Sequence, residues 1–133
     1  MTRNLTDFLG RWQIAREIAH SDGTQARFAG TAVWTLGESG ADYVETGVLE
    51  MGTARFNAER RYRWTDGLEV YFEDGRFFHT VPQSGGRASH WCDPDQYDVT
   101  YEFADWPRWR AEWRVRGPRK DYTMISCYTP DAG

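Results

Sequence analysis

The sequence predicts an all-β chain, a single antiparallel barrel of about eight to ten strands with a short N-terminal helical turn. The first observation behind this lies between residues 96 and 116. Tyr97, Val99, Tyr101 and Phe103 alternate with Asp98, Thr100 and Glu102; after Asp105-Trp106-Pro107 the rhythm resumes, with Trp109, Ala111, Trp113 and Val115 between Arg108, Arg110, Glu112, Arg114 and Arg116. Neighbouring side chains on a strand point to opposite faces, so this is a hairpin with one aromatic wall and one charged wall, and the aromatic wall must be covered. The second observation is compositional: 13 glycines and seven tryptophans, with aromatics at 16% of the chain, suit many short strands joined by tight turns better than helices. At 133 residues the chain is long enough for one domain with a real core.

Taken in order, Asn4 to Phe8 reads as a helical turn whose Leu5 and Phe8 plug one end of the barrel. A first strand follows, with Trp12, Ile14, Arg16 and Ile18 on one face. Ser21-Asp22-Gly23 turns the chain into a second strand, where Phe28, Gly30, Ala32, Trp34 and Leu36 share a side. Small residues between large ones there suit a strand bending around a barrel corner. Further strands are expected at 43–51, 55–64, 68–73, 76–81 and 88–93, then the aromatic hairpin, then 122–128. Pro82 to Gly86 is the most flexible-looking loop, and no linker or repeat divides the chain.

The turns set registers, and the registers place the polar residues. Gly52-Thr53 fits a two-residue type II′ turn, which sets Leu49 opposite Phe56, Gly47 opposite Ala58 and Glu45 opposite Arg60 on the apolar face. Thr65-Asp66-Gly67 fits a three-residue loop with Gly67 left-handed, which sets Tyr62 beside Val70 and Arg60 beside Phe72. Asp74-Gly75 fits a type I′ turn pairing Phe72 with Phe77 and Val70 with His79. A tight turn over Asp93 to Gln96 brings Cys92 beside Tyr97 and His90 beside Val99. The interior is then expected to hold Arg16, Glu45, Arg60, His79 and His90, ringed by Tyr43, Tyr62, Tyr97 and Tyr101.

Such a set can be a self-satisfying core, with Glu45 and Arg60 paired, Arg16 near a rim and each histidine bonded to a tyrosine or a water. It can equally line a site. Ionised groups in an apolar interior cost several kcal/mol each, and good pairing only about cancels that, so a core built for stability alone has little reason to hold so many. An aromatic cavity with one or two cations suits a small ligand having an apolar body and an anionic or carbonyl end. The expected ligand-binding residues are Arg60, Glu45, Tyr62, Phe72, His79, His90, Tyr97, Tyr101 and Arg16, with Arg60 as anchor and Glu45 orienting it.

Other classes find less support. The net charge of −4, with arginines interleaved with acids, gives no broad phosphate-binding footprint, so no nucleic-acid partner is expected. The start Met1-Thr2-Arg3-Asn4-Leu5 has no signal-like apolar run, and no stretch approaches the roughly 20 apolar residues of a membrane span. A cytoplasmic protein is expected, with Cys92 and Cys127 as free thiols acting as small buried hydrophobes. No metal site is expected, since no Cys or His pair has ligand spacing. No nucleophile motif or phosphate loop is present, and His20 reads as a solvated turn residue. The enzyme alternative is an isomerase or lyase using His79 and His90 with Glu45 as acid and base.

Phe8-Leu9-Gly10-Arg11-Trp12 resembles the Gly-x-Trp signature at the start of the lipocalins, and about ten antiparallel strands resemble the fatty-acid-binding and nitrobindin branches of the same calycin group. Longer runs, Glu59-Arg60-Arg61-Tyr62, Asp74-Gly75-Arg76-Phe77-Phe78-His79, Trp106 to Trp113 and Gly117-Pro118-Arg119-Lys120-Asp121-Tyr122, resemble a bacterial family catalogued as domain of unknown function 6314, over nearly the whole chain. The resemblance implies a calycin-like barrel and no reaction. Fatty-acid-binding proteins use a late-strand Arg-x-Tyr to grip a carboxylate; Ser126 stands where that arginine is wanted, so Arg60 has to substitute. Nitrobindin-like proteins hold haem through a late histidine, and no histidine follows His90. Haem is therefore a minor alternative, and no other cofactor is implied. In lipocalins a late basic residue packs over the first-strand Trp, a role that the resemblance gives to Arg116 or Arg119 over Trp12.

Overall fold

The structure, a computed structural model, describes residues 2–131. A four-residue helix, α1 (Leu5–Phe8), precedes ten strands: β1 (Gly10–His20), β2 (Gln25–Gly37), β3 (Gly40–Met51), β4 (Ala54–Trp64), β5 (Glu69–Phe72), β6 (Phe77–Thr80), β7 (Gly86–Cys92), β8 (Asp95–Glu102), β9 (Trp109–Arg116) and β10 (Asp121–Pro130). They form one antiparallel sheet in the order β6-β5-β4-β3-β2-β1-β10-β9-β8-β7, curled into a nearly closed barrel. β6 and β7, its two ends, approach each other without a ladder.

The two-walled hairpin is as expected. Tyr97, Tyr101, Phe103 and Trp109 are buried and Trp113 joins the core, while Thr100, Glu102 and Arg110 face solvent. Asp98 also points outward; Arg87 and Arg116 cover it there. β2 and β3 approach closely where Gly30 pairs with Gly47. A β-carbon added at Gly30 would meet the Thr46 carbonyl oxygen at 2.0 Å, and one at Gly47 the Ala29 carbonyl oxygen at 2.2 Å, so only glycine permits this crossing.

One end is closed by aromatics. The Phe8 ring lies 5.2–5.9 Å from Trp34, Trp64, Phe103, Trp106 and Trp109. Asn4 N–H donates to the Asp7 carboxylate at 2.9 Å, fixing the turn that inserts Phe8. Trp12 is buried here and its indole N–H donates to the Phe8 carbonyl at 2.8 Å. No arginine lies over Trp12 among the described residues: Arg116 is drawn to Asp98, and the cation at this end is Arg3, 4.5 Å above Trp106.

Five details differ from the sequence reading. Across the β4–β5 connection the pairing moves by two residues, and the left-handed residue is Leu68 (φ 61°), not Gly67. That conformation costs a non-glycine residue about 1–2 kcal/mol, less than the roughly 1.5–3 kcal/mol from burying the fully enclosed Leu68 side chain. Tyr62 consequently faces Phe72, and Trp64 faces Val70. In the β5–β6 hairpin a register shift pairs Tyr71 with Phe77, so Phe77 is exposed and both Phe78 and His79 are buried. The β7–β8 loop is only Asp93 and cis Pro94, which sets His90 opposite Tyr97 and Cys92 opposite Asp95. These ladder shifts of β5 on β4 and β8 on β7 are even and leave inward residues inward. Finally, Leu36 runs past the plugged end and is 61% exposed, and Cys127 points outward into solvent.

Candidate ligand-binding site

β1 and β3 supply the polar centre. The Arg16 guanidinium clamps Glu45 with two hydrogen bonds, Nη1 to Oε2 at 2.5 Å and Nη2 to Oε1 at 2.9 Å, and its Nε donates to Ser126 Oγ at 2.7 Å. The Tyr43 hydroxyl donates to Glu45 Oε1 at 2.5 Å and lies 2.9 Å from the Tyr128 hydroxyl. Arg16 and Glu45 are both buried, at 5% and 1% exposure, and Arg16 lies 5.2 Å over the Phe28 ring. Burial alone would raise the Glu45 pKa; the hydrogen bonds and charge of Arg16, with the Tyr43 hydroxyl and Arg60, hold it below the ordinary carboxylate value. Burial opposes the charge on Arg16, and Glu45 outweighs it.

The expected partner of Glu45 is thus corrected. Arg60 does sit directly across the ladder from Glu45, yet Arg16 takes the carboxylate. Arg60 is half-buried, with its guanidinium 6.0 Å from the Trp113 ring centroid and beside the Tyr62 hydroxyl. No carboxylate lies within ion-pair distance of it among the described residues. Two guanidinium groups therefore stand on this inner wall beside one carboxylate, and Arg16 alone pairs with it.

His79 comes inward through the β5–β6 register shift, its Nε2 2.7 Å from the Tyr101 hydroxyl and its Nδ1 buried without a partner. Desolvation, helped by the His90 charge, lowers its pKa to about 3, so it is neutral near pH 7. An unfolded histidine titrates near pH 6.5; below that the unfolded chain gains a proton that the fold refuses. Stability should therefore be free of this penalty above about pH 6.5 and fall by up to about 1.4 kcal/mol per pH unit from there toward pH 3. His79→Phe should flatten that limb of a urea-denaturation pH profile; an unchanged slope counts against a buried neutral His79.

Arg16, Tyr43, Glu45, Arg60, Tyr62, His79, Tyr101, Trp109, Trp113 and Tyr128 surround a cavity of about 30 Å³, room for one or two waters. Arg60 and Tyr62 also line a surface depression of about 390 Å³ with Phe72, Glu73 and Arg76. Of the sequence-derived set, Arg16, Glu45, Arg60, Tyr62, His79 and Tyr101 meet at the cavity. Phe72 lies on the depression side, stacked on Phe78 at 4.5 Å. His90 and Tyr97 lie beyond Phe78, 5.9 and 5.3 Å from its ring. His90 thus does not line the cavity that His79 and Glu45 share, and the cavity is far too small for haem. Among the described residues no His, Cys, Asp or Glu cluster is placed to hold a metal.

Tyr128 lines the cavity and Ser126 accepts from Arg16 behind it; sequence reasoning placed neither, because the facing of β10 had no turn to set it. Pairing of Arg16 with Ser126 and of Ile14 with Tyr128 turns both inward. Phe78 was missed because a bulge breaks strict alternation.

No helix is long and apolar enough to cross a membrane among the described residues. A search of curated protein sequences returns no match. Among solved structures, the S-type phycobiliprotein lyase CPES from Guillardia theta superposes with a TM-score of 0.64 over 97% of this chain and 91% of that one, at 8% identity, which establishes likeness of fold. The runs around Arg60, His79 and Trp109 point to a narrower kinship: with residues 8–130 matching its sequence profile, this chain belongs to the family of unknown function DUF6314.

Proposed function

We propose that the barrel binds a small, partly apolar molecule whose anionic or carbonyl end is held by Arg60. One observation carries this reading: Arg60 faces the inner wall with no carboxylate partner among the described residues, because Arg16 already satisfies Glu45. Arg60 and Tyr62 join the surface depression to the cavity, so a ligand can approach from outside with its polar end toward Arg60 and its apolar part against Tyr62, Phe72 and Trp113. A guanidinium presents five donors, and beside an aromatic face it keeps an edge free for a ligand oxygen. The barrel shared with the phycobiliprotein lyase supplies a frame compatible with such a site.

The test uses 8-anilinonaphthalene-1-sulfonate, an apolar anion, followed by its own emission and by tryptophan quenching. Arg60→Met should weaken binding about 10- to 100-fold, the equivalent of one charge-assisted contact of roughly 1.5–3 kcal/mol. Stability should change by less than about 1 kcal/mol, since no ion pair is broken. Unchanged affinity in Arg60→Met overturns Arg60 as the anchor.

A further inference from the structure

β4 has eleven residues, and β5 covers only its last three, Tyr62 to Trp64. From Ala54 to Arg61 its outer edge has no ladder partner. The β3–β4 turn shows which backbone groups are left. Gly52 and Thr53 form a two-residue loop, so Met51 and Ala54 exchange both hydrogen bonds, and such pairs recur at every second residue. The even-numbered residues of β4 thus bond to β3, while Arg55, Asn57 and Glu59 turn their N–H and C=O groups outward. Thr65, of the same parity, donates in that outward direction to Glu69 at 2.9 Å. This edge contains no proline, and Phe56, on the inner face beside it, is 50% exposed.

We propose that two copies of this chain pair edge to edge through β4, antiparallel about a two-fold axis at Asn57. That register joins the outward-turned groups of Arg55, Asn57 and Glu59 of one copy to those of Glu59, Asn57 and Arg55 of the other in about six hydrogen bonds. It also sets Arg55 opposite Glu59 twice and lays Phe56 against Ala58 on the inner face. A two-fold at Ala58 would oppose Arg55 to Arg61, one at Glu59 would oppose two carboxylates, and one at Phe56 would set Arg55 only against Asn57, so the doubled Arg55–Glu59 pairing favours Asn57. The present partners do not prevent it. Arg55–Glu50 at 3.9 Å and Glu59–Arg61 at 3.0 Å are exposed pairs worth about 0–1 kcal/mol, which can be re-formed across the interface. A closed two-fold contact also consumes the edge, which is otherwise a template for open-ended association.

Sedimentation equilibrium from low micromolar to near-millimolar chain tests this. The intact chain should move from 15.5 kDa toward twice that mass as concentration rises. Arg55→Glu should return it to monomer, and Arg55→Glu combined with Glu59→Arg should restore the dimer, because the opposing charges are exchanged in both copies. Asn57→Pro removes an outward N–H that β3 does not use, so it should abolish pairing while leaving the far-ultraviolet spectrum intact. A wild-type chain that stays monomeric at the highest concentration overturns the proposal. So does a dimer that survives Arg55→Glu, or an exchange that fails to restore it. If Asn57→Pro does not fold, the two charge variants decide alone.

Discussion

Replacing Arg16 with Met should destabilise the protein by about 3–5 kcal/mol, among the largest effects available from a single polar side chain. The change leaves Glu45, 1% exposed, ionised beside Tyr43 and Tyr128, and removes the donor to Ser126. Combining it with Glu45→Gln should recover much of the loss, because the isolated charge is gone and Tyr43 still has an oxygen to meet. The pH dependence supplies an independent check. In the wild type, the depressed Glu45 pKa makes a contribution that is present above the unfolded value near pH 4.3 and lost as pH falls through the folded value. In Arg16→Met, burial without its partner raises the Glu45 pKa, so the penalty should shrink as pH falls and the carboxyl takes up a proton. Urea denaturation from about pH 8 to about pH 2 reads both. A loss below about 1 kcal/mol for Arg16→Met would show that water reaches Glu45 and that the pair is not a sealed one. Arg60→Met is the counterpart, with little change in stability and a loss of ligand.

Trp12→Ala should cost about 3–5 kcal/mol, as large aromatic truncations in packed cores do. Its indole touches Trp34, Trp106 and Trp109 at ring-centroid distances of 5.6–6.3 Å, and its N–H holds the Phe8 carbonyl that ends α1. Losing it opens a void and frees the plug, so near-ultraviolet circular dichroism should fall with stability. Trp91→Ala is the control: that indole is 59% exposed, and its loss should cost no more than about 0.5 kcal/mol. Equal losses at both positions would remove the aromatic end from its structural role.

Alternation made much of the barrel legible. In Tyr97 to Phe103 and Trp109 to Val115 every apolar residue falls on one parity, and the two walls are where that parity puts them. The Gly52-Thr53 turn is short enough to have one register, so Glu45 opposite Arg60 could be read from the chain. Longer turns were less determinate. At Leu68 the burial of a side chain outweighed the preference of glycine for a left-handed φ, and at Phe78 a bulge placed two consecutive residues inside.

Where a strand has no bulge and a turn sets its register, the sequence by itself determined which residues face inward, because strand geometry fixes that by parity. Which inward cation meets Glu45 was decided only by tertiary structure. Ladder partners are neighbours along one layer, but curling the sheet brings inner side chains of non-adjacent strands together. Gly30 puts no side chain on the inner face of β2, so Arg16 on β1 can reach across that strand to Glu45 on β3. The long guanidinium could therefore claim both carboxylate oxygens, while the direct ladder neighbour, Arg60, was left facing the cavity and the surface depression beside it.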